Sequence, residues 1–527
     1  MSIVRLPRAI LSAVLIAACL PLADCSPGPS APAGDARLRV AISSEPPTLD
    51  WTLATDNVSI TLIENLMEGL TEFDDQLQPV PALAHHWDVS PDGKIYTFHL
   101  RDDLVWSDGQ RVTAGDFEYA WRRLLDPKTA SEYAYFLYDV VNARAYNAGR
   151  LRDPSQLGVH ALDAVTLRVE LDRPVAYFPS ITTFGVTFPE RRDLIERYGT
   201  HWTEPEHLVT VGPFRLAEWR HEYKVVLRAN SRYRGGLPAV REIQLYVVND
   251  RSTALSLYEA GDLDFVSLPP EAIPAYEHSP EFGRVPLLRG YYYGFNVEAK
   301  PFADARVRQA FARAIDKTVL PKILRGGETP TDSWIPPGLL GYNPTIGLHD
   351  DAARARRLLA AAGYPNGTRF PTVTLSYNTD PVNTLIAENL QAQWKRTLGV
   401  TVELDNQEWK VYLKRLKTAT PPIFRLGWGA DYPDPDNFME LFTGDSGNNN
   451  THWRNARYDA LVAEAASMVD PKRRLQFYND AQRLLTEQDA PIIPLFVATQ
   501  NFLVKPRVHG LHPNAMEMLQ FKRVWLQ

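Results

Sequence analysis

Gly444-Asp445-Ser446-Gly447 matches the short core of a trypsin-like nucleophile motif. That chemistry would make Ser446 an acyl-transfer nucleophile, which needs a histidine base and an oxyanion hole. The Gly-Pro that should follow is missing, and TGDSGNNNTHW reads as a polar loop. His85-His86 offers two metal ligands side by side. Adjacent side chains do not converge on one ion from a regular element, so the pair reads as solvated or partly buried. Gly93-Lys94 lacks the spaced first glycine of a phosphate-binding loop, and no HExxH occurs. Asp431 opens the run DYPDPD, where an aspartate commonly caps the turn. The residues alone therefore indicate no catalytic set, no metal site and no cofactor.

With 527 residues the chain is too long for one ordinary core and predicts two or three lobes. Its 45% hydrophobic and 23% charged content is that of a folded, soluble protein. A formal charge of −7 argues against nucleic acid as a partner, because phosphates need a basic excess. Sugars, metals, small acids and peptides stay open. Cys19 and Cys25 are the only cysteines, so the body has no disulfide and no thiolate metal site. Arg5 and Arg8 followed by the apolar run 9–18 have the form of a signal peptide over 1–18. Ile16-Ala17-Ala18-Cys19 is similar to a lipobox, whose cysteine is acylated. Leu22-Ala23-Asp24-Cys25 is the alternative site, departing from the pattern at Asp24. SPGPSAPAG makes 19–35 a tethering linker. The expectation is a protein of the periplasm or cell envelope, lipid-anchored to a membrane, with a simple cleaved signal as the alternative. No later segment has eighteen apolar residues in a row.

Interleaved strands and helices must position any site. LRVAIS begins as a strand. Apolar spacing predicts a helix over 60–70 that stops at Gly69. Tyr96, Phe98 and Leu100 alternate on one face of a strand, as do Leu167, Val169 and Leu171. Thr113 caps a helix, DFEYAWRRLL. Val307, Phe311, Ile315 and Val319 recur every four residues, predicting one helix over 304–324 capped by Asp304. TVTLSYN, a helix over 384–397 and VTVEL form a βαβ-like unit. The pattern is mixed α/β (α+β).

Two stretches are more specific. Residues 87–122, WDVSPDGKIYTFHLRDDLVWSDGQRVTAGDFEYAWRR, resemble the signature region of the bacterial family 5 extracellular solute-binding proteins. Residues 406–438, NQEWKVYLKRLKTATPPIFRLGWGADYPDPDNF, look like the oligopeptide-binding branch, which serves ABC importers. Similar pieces between them, such as YYYGFNVEAKPFADARVRQAFARAID, extend the resemblance over nearly the whole mature chain. It implies a two-lobed periplasmic-binding-protein clam of class C type. Lobe I would comprise 36–67, 192–288 and 499–527, the extra N-terminal subdomain 68–191, and lobe II 289–498. Two crossovers would form the hinge, and ligand would close the lobes.

The resemblance also implies how peptides would be held. Asp431, in Trp428-Gly429-Ala430-Asp431, matches the family's aspartate for the peptide ammonium. Gly427, Trp428 and Gly429, with Thr55 to Asn57, match two stretches that grip backbone by strand addition. Arg425 matches a family arginine and Arg325 replaces a lysine; both would meet the carboxylate. Asn383 stands where some relatives have histidine, and Leu416 where some have arginine, which changes the expected ligand length. Trp409, Trp428 and Tyr292 match pocket aromatics, although Tyr292 faces away from Tyr291 and Tyr293. Gly429 and Arg289 replace two cysteines that some relatives bridge. The implied partners are short peptides and the membrane permease and ATPase subunits of an ABC importer, with the chain itself a monomer and not an enzyme. Alternatives are a receptor of the same fold for a murein peptide, a metal chelate or haem, an envelope serine hydrolase built on Ser446, and a signalling or adhesion lipoprotein.

Overall fold

The computed structural model describes residues 37–468 and 470–527. The signal peptide over 1–18, the linker over 19–35 and both cysteines lie outside the described residues.

One large mixed sheet organises the chain. Its strand order is Val402–Gln407, Val373–Asn378, Ile423–Gly429, Phe282–Phe295, Ile492–Val504, Phe265–Ser267, Arg37–Ile42, Glu242–Val247, Lys224–Ala229 and Phe214–Arg220, and Thr329–Pro330 also pairs with Ile492–Val504. The first two strands pair in parallel across the helix Pro381–Leu398, which is the βαβ unit the sequence predicts. Phe282–Phe295 and Ile492–Val504 are 14 and 13 residues long and pair antiparallel over most of that length. Their register slips between Pro286, opposite Thr499, and Gly290, opposite Val497. The slip falls where the expected crossovers at 288/289 and 498/499 meet.

Apolar packing forms several cores. One core gathers buried residues from 38–245 and 502–524, joined by Phe265, Tyr432 and Ala466. Two others gather residues between 288 and 496. Within the first core lies a small antiparallel sheet, ordered Ala84–Val89, Ile95–Leu100, Thr166–Glu170, Val159–Ala161. Tyr96, Phe98 and Leu100 are buried on its inner face as the alternation predicts. Helix Ala114–Leu125 buries Phe117 and Trp121 in the same core. Thr113 is its N-cap, and the Asp116 carboxylate accepts the Thr113 N–H at 2.8 Å.

Two helix expectations are corrected. The first helix runs Asn57–Leu66, not 60–70, because the Asp56 carboxylate accepts the Val58 and Ser59 N–H groups and starts it earlier. Gly69 is no helix stop; a Cβ there would sit 2.3 Å from the Thr182 carbonyl, so glycine serves a close backbone approach. The segment 304–324 is not one helix. Ala305–Arg313 ends, Asp316 caps a new turn over Lys317–Val319, and Leu320–Leu324 follows with Pro321 in its first turn. Pro321 has no N–H for a continuing ladder. The four-residue spacing fails at the break: Ile315 is buried, Val319 is half-buried, and Leu320 and Leu324 take its place in the core.

Candidate functional site

A cavity of about 690 Å³ is lined by segments distant in sequence: Thr55 and Asn57, then Glu132, Tyr133 and Tyr135, then Leu287 to Arg289, then Trp409, Gly427 to Asp431 and Ala515 to Glu517. Strand Ile423–Gly429 forms one wall. On one side it pairs with Phe282–Phe295, placing Arg289 opposite Gly429 and Tyr291 opposite Gly427. On the other side, Val373–Asn378 pairs only with Ile423 and Phe424. Beyond Phe424 that edge has no strand partner among the described residues. The Tyr412 hydroxyl accepts the Arg425 N–H at 3.0 Å and donates to the Arg425 carbonyl at 2.7 Å, and the segment Gly427 to Gly429, which lines the cavity, is left to add a strand. A Cβ on Gly427 would lie 3.0 Å from the Gly290 carbonyl, so a larger residue would press on the paired side.

Asp431 follows this strand. Its N–H donates to Asn437 Oδ1 at 2.9 Å, and Trp428 Nε1 donates to the same oxygen at 2.9 Å. The buried Asn437 thereby sets the direction of both residues. The turn-capping role falls to Asp434, whose Oδ1 accepts the Asp436 N–H at 2.9 Å. The Asp431 side chain instead reaches Tyr135, whose hydroxyl donates to Oδ2 at 2.8 Å. No cation pairs with Asp431 among the described residues. Burial pushes its carboxyl up to about 6, while the bonds from Tyr135 and Asn437 work in the opposite direction. Burial and the Asp431 charge push the Tyr135 phenol far up, so it is a hydrogen-bond donor at neutral pH.

Of the residues singled out in the sequence, Thr55, Asn57, Trp409, Gly427, Trp428, Gly429 and Asp431 share this cavity. Tyr292, Arg425, Arg325 and Asn383 do not line it. Tyr292 packs edge-on against Trp334 and Phe442, with ring centroids 5.0 and 5.5 Å away, because its face of the strand is turned into a core. Arg425 lies over the Tyr291 ring at 4.3 Å and donates to Asn378 Oδ1 at 3.1 Å. Asn383 is buried in the same network, accepting the Tyr291 hydroxyl at 2.8 Å. Arg325 is exposed at the end of helix Leu320–Leu324, at a φ of 59°.

Tyr135, Glu132, Arg289 and Glu517 are cavity residues that sequence reading did not place there. Arg289 forms an ion pair with Glu517, and Asn57 Nδ2 donates to the same carboxylate at 3.4 Å. The cavity thus shows three carboxylates, Glu132, Asp431 and Glu517, to one guanidinium that is already engaged. Ser446 belongs to a different cavity, of about 320 Å³, and its Oγ accepts the Asn448 N–H at 3.3 Å. No helix among the described residues is long and apolar enough to cross a membrane.

The profile of the family "Bacterial extracellular solute-binding proteins, family 5 Middle" matches residues 78–450. The murein peptide-binding protein MppA of Escherichia coli is 36% identical over 92% of this chain and 91% of its own. The oligopeptide-binding protein OppA of Bacillus subtilis is 32% identical over 91% and 90%. A second Escherichia coli protein, named "Probable deoxycholate-binding periplasmic protein YgiS", is 36% identical over 92% of each chain. Among solved structures, the unliganded open form of MppA superposes with a TM-score of 0.81 at 35% identity, covering 94% of this chain and 98% of its own. The fold is accordingly that of the two-lobed periplasmic peptide-binding proteins. This chain belongs to family 5 of the bacterial extracellular solute-binding proteins.

Proposed function

We propose that this protein captures short peptides outside the cytoplasmic membrane and hands them to the permease and ATPase subunits of an ABC importer. One observation carries the reading: an uncompensated, half-buried carboxylate, Asp431, stands beside an unpaired strand edge on one cavity wall. A peptide supplies what each lacks, an ammonium for the carboxylate and a backbone for the edge. On the geometry, the ligand carboxylate goes to Arg289, which lines the cavity, rather than to Arg425 or Arg325. Glu517 would yield that guanidinium or keep it according to ligand length. The separation of the cores near residue 288 and the register slip there support the proposed boundary between lobes I and II, while the extra subdomain over 68–191 shares one core with lobe I. Secretion by residues 1–18, acylation at Cys19 or Cys25 and a monomeric state complete the proposal. Metabolic palmitate labelling of Cys19→Ser and Cys25→Ser variants tests the anchor.

Deoxycholate, named for one relative, makes a poorer fit. A steroid carboxylate would enter among three carboxylates with a single engaged arginine to receive it. Calorimetry with free and N-acetylated tripeptides, murein tripeptide and deoxycholate decides. The peptide reading requires the free tripeptides to bind and N-acetylation to abolish most of the affinity. Binding of deoxycholate alone would refute it.

A further inference from the structure

The histidine pair set aside above lies on an irregular element. In strand Ala84–Val89, Ala84 pairs with Leu100 and His86 with His99, so His85 is an extra residue in a β-bulge. A regular strand would send His85 and His86 to opposite faces. Bulges re-aim side chains, and here both histidines are exposed while Ala84 is buried and Trp87 is half-buried. Normal alternation resumes after the bulge, returning Asp88 to the outer face. His99, across the ladder from His86, occupies that face too.

The result is three imidazoles and a carboxylate gathered on one surface. The rings of His86 and His99 stack with centroids 4.2 Å apart, and that of His85 lies 4.4 Å from His86. His99 Nε2 is 2.9 Å and His86 Nε2 4.0 Å from Asp88 Oδ2. Ligand atoms of His86, Asp88 and His99 all fall within 4.8 Å of one another. Arg168, on the strand beside His99, is occupied by Glu170 at 3.1 Å. None of these residues lines the peptide cavity.

We propose that His86, Asp88 and His99, with His85 able to join them, form a surface site for a borderline divalent transition cation of the Zn(II), Cu(II) or Ni(II) class. Imidazole with one carboxylate selects these ions over Mg(II) and Ca(II), which want oxygen. Tetrahedral Zn(II) with bonds of about 2.0–2.1 Å needs ligand atoms roughly 3.3 Å apart. The cluster therefore contracts by up to about 1.5 Å on its longer sides, and the stacked rings tilt to aim their nitrogens at one point. Side-chain rotation supplies both movements, since the His86 side chain is 51% exposed. Asp88 already holds His99, which leaves His86 as the ligand that moves most.

The test uses tag-free, chelator-stripped protein titrated with ZnCl2, then NiCl2, by calorimetry. One site with a micromolar Kd is expected. His86→Ala/His99→Ala should weaken it at least about tenfold, with Asp88→Asn and His85→Ala giving smaller losses. These surface substitutions should leave the metal-free Tm and tripeptide affinity unchanged, which separates metal loss from misfolding. A wild-type protein that binds neither ion below about 1 mM, or a double variant that binds as tightly as wild type, overturns the proposal.

Discussion

Asp431→Asn keeps the shape of the side chain and removes its charge. In the ligand-free protein the Asp431 carboxyl is half-protonated near pH 6, because burial outweighs the bonds from Tyr135 and Asn437. A peptide ammonium at about 3 Å attracts the carboxylate by about 5 kcal/mol at an effective dielectric of 20. Desolvating the ammonium cancels part of this, leaving about 3 kcal/mol, or roughly 150-fold in Kd at pH 7.5. The pH dependence has a definite sign. Ligand lowers the carboxyl pKa, so binding is strongest where the free carboxylate is already ionised. Tripeptide Kd should be lowest near pH 7, rise about tenfold per unit below pH 6, and rise again above about pH 8 as the peptide ammonium loses its proton; Asp431→Asn should flatten the acid limb. Calorimetry in two buffers of different ionisation heat should show uptake of protons by buffer, close to half a proton per peptide at pH 6.

The same substitution moves stability the other way. The folded-state pKa lies above the unfolded value, so this group's contribution is fully present below about pH 4 and is lost as pH rises through 6. At neutral pH the ionised, half-buried carboxylate costs the empty protein about 1–2 kcal/mol after solvent screening. Asp431→Asn should therefore raise the ligand-free Tm at pH 7.5 while losing affinity, an outcome that misfolding cannot imitate. If the variant binds tripeptides within about threefold of wild type, the assignment of Asp431 to the ammonium is wrong.

Tyr135→Phe removes a hydrogen bond that favours the ionised carboxyl, so the acid limb of the tripeptide profile should shift to higher pH; an unmoved limb would mean that the Tyr135–Asp431 contact does not persist in solution. The three-to-one excess of carboxylates in the cavity should make Ala-Lys-Ala bind about tenfold tighter than Ala-Glu-Ala at low salt, and Glu132→Gln should narrow the gap; equal affinities would refute the electrostatic reading. Arg474 makes a bidentate ion pair with Asp434, both bonds 2.7 Å, in a buried setting. Arg474→Ala leaves the Asp434 carboxylate without its ion-pair partner and should cost about 3–5 kcal/mol, read as a large loss of Tm; a Tm within 2 °C of wild type, on the order of 1 kcal/mol or less, would refute it.

Local physics was legible in the sequence where it is local. The alternation of Tyr96, Phe98 and Leu100, the Thr113 cap and the helix between two parallel strands all follow from periodicity and end chemistry. The placement of Asp431, Trp428 and Thr55 around one cavity came from the family resemblance, since an isolated Asp before DPD reads equally well as a turn cap. Arg289 and Glu517 show why the rest stayed hidden. They meet across 228 positions through an ion pair that no spacing rule connects. Tyr135 reaches Asp431 across 296 positions in the same way. The bulge at His85 escaped because alternation was assumed to hold along the strand. The helix over 304–324 was overextended because apolar spacing outlasted the backbone, with Pro321 the overlooked signal.

Strand Ile492–Val504 also governs the order of assembly. It is bonded to Phe282–Phe295 along one edge and Phe265–Ser267 along the other, so the large sheet stays in two pieces until this segment arrives. Synthesis makes it after every other strand of the large sheet. Whatever subunits form earlier, a nascent or partly translocated polypeptide lacks the keystone that joins its halves, and loop closure over hundreds of residues comes late. Such a chain remains threadable until this strand has emerged, and a truncation before residue 492 should leave two sheets with open edges rather than a smaller receptor.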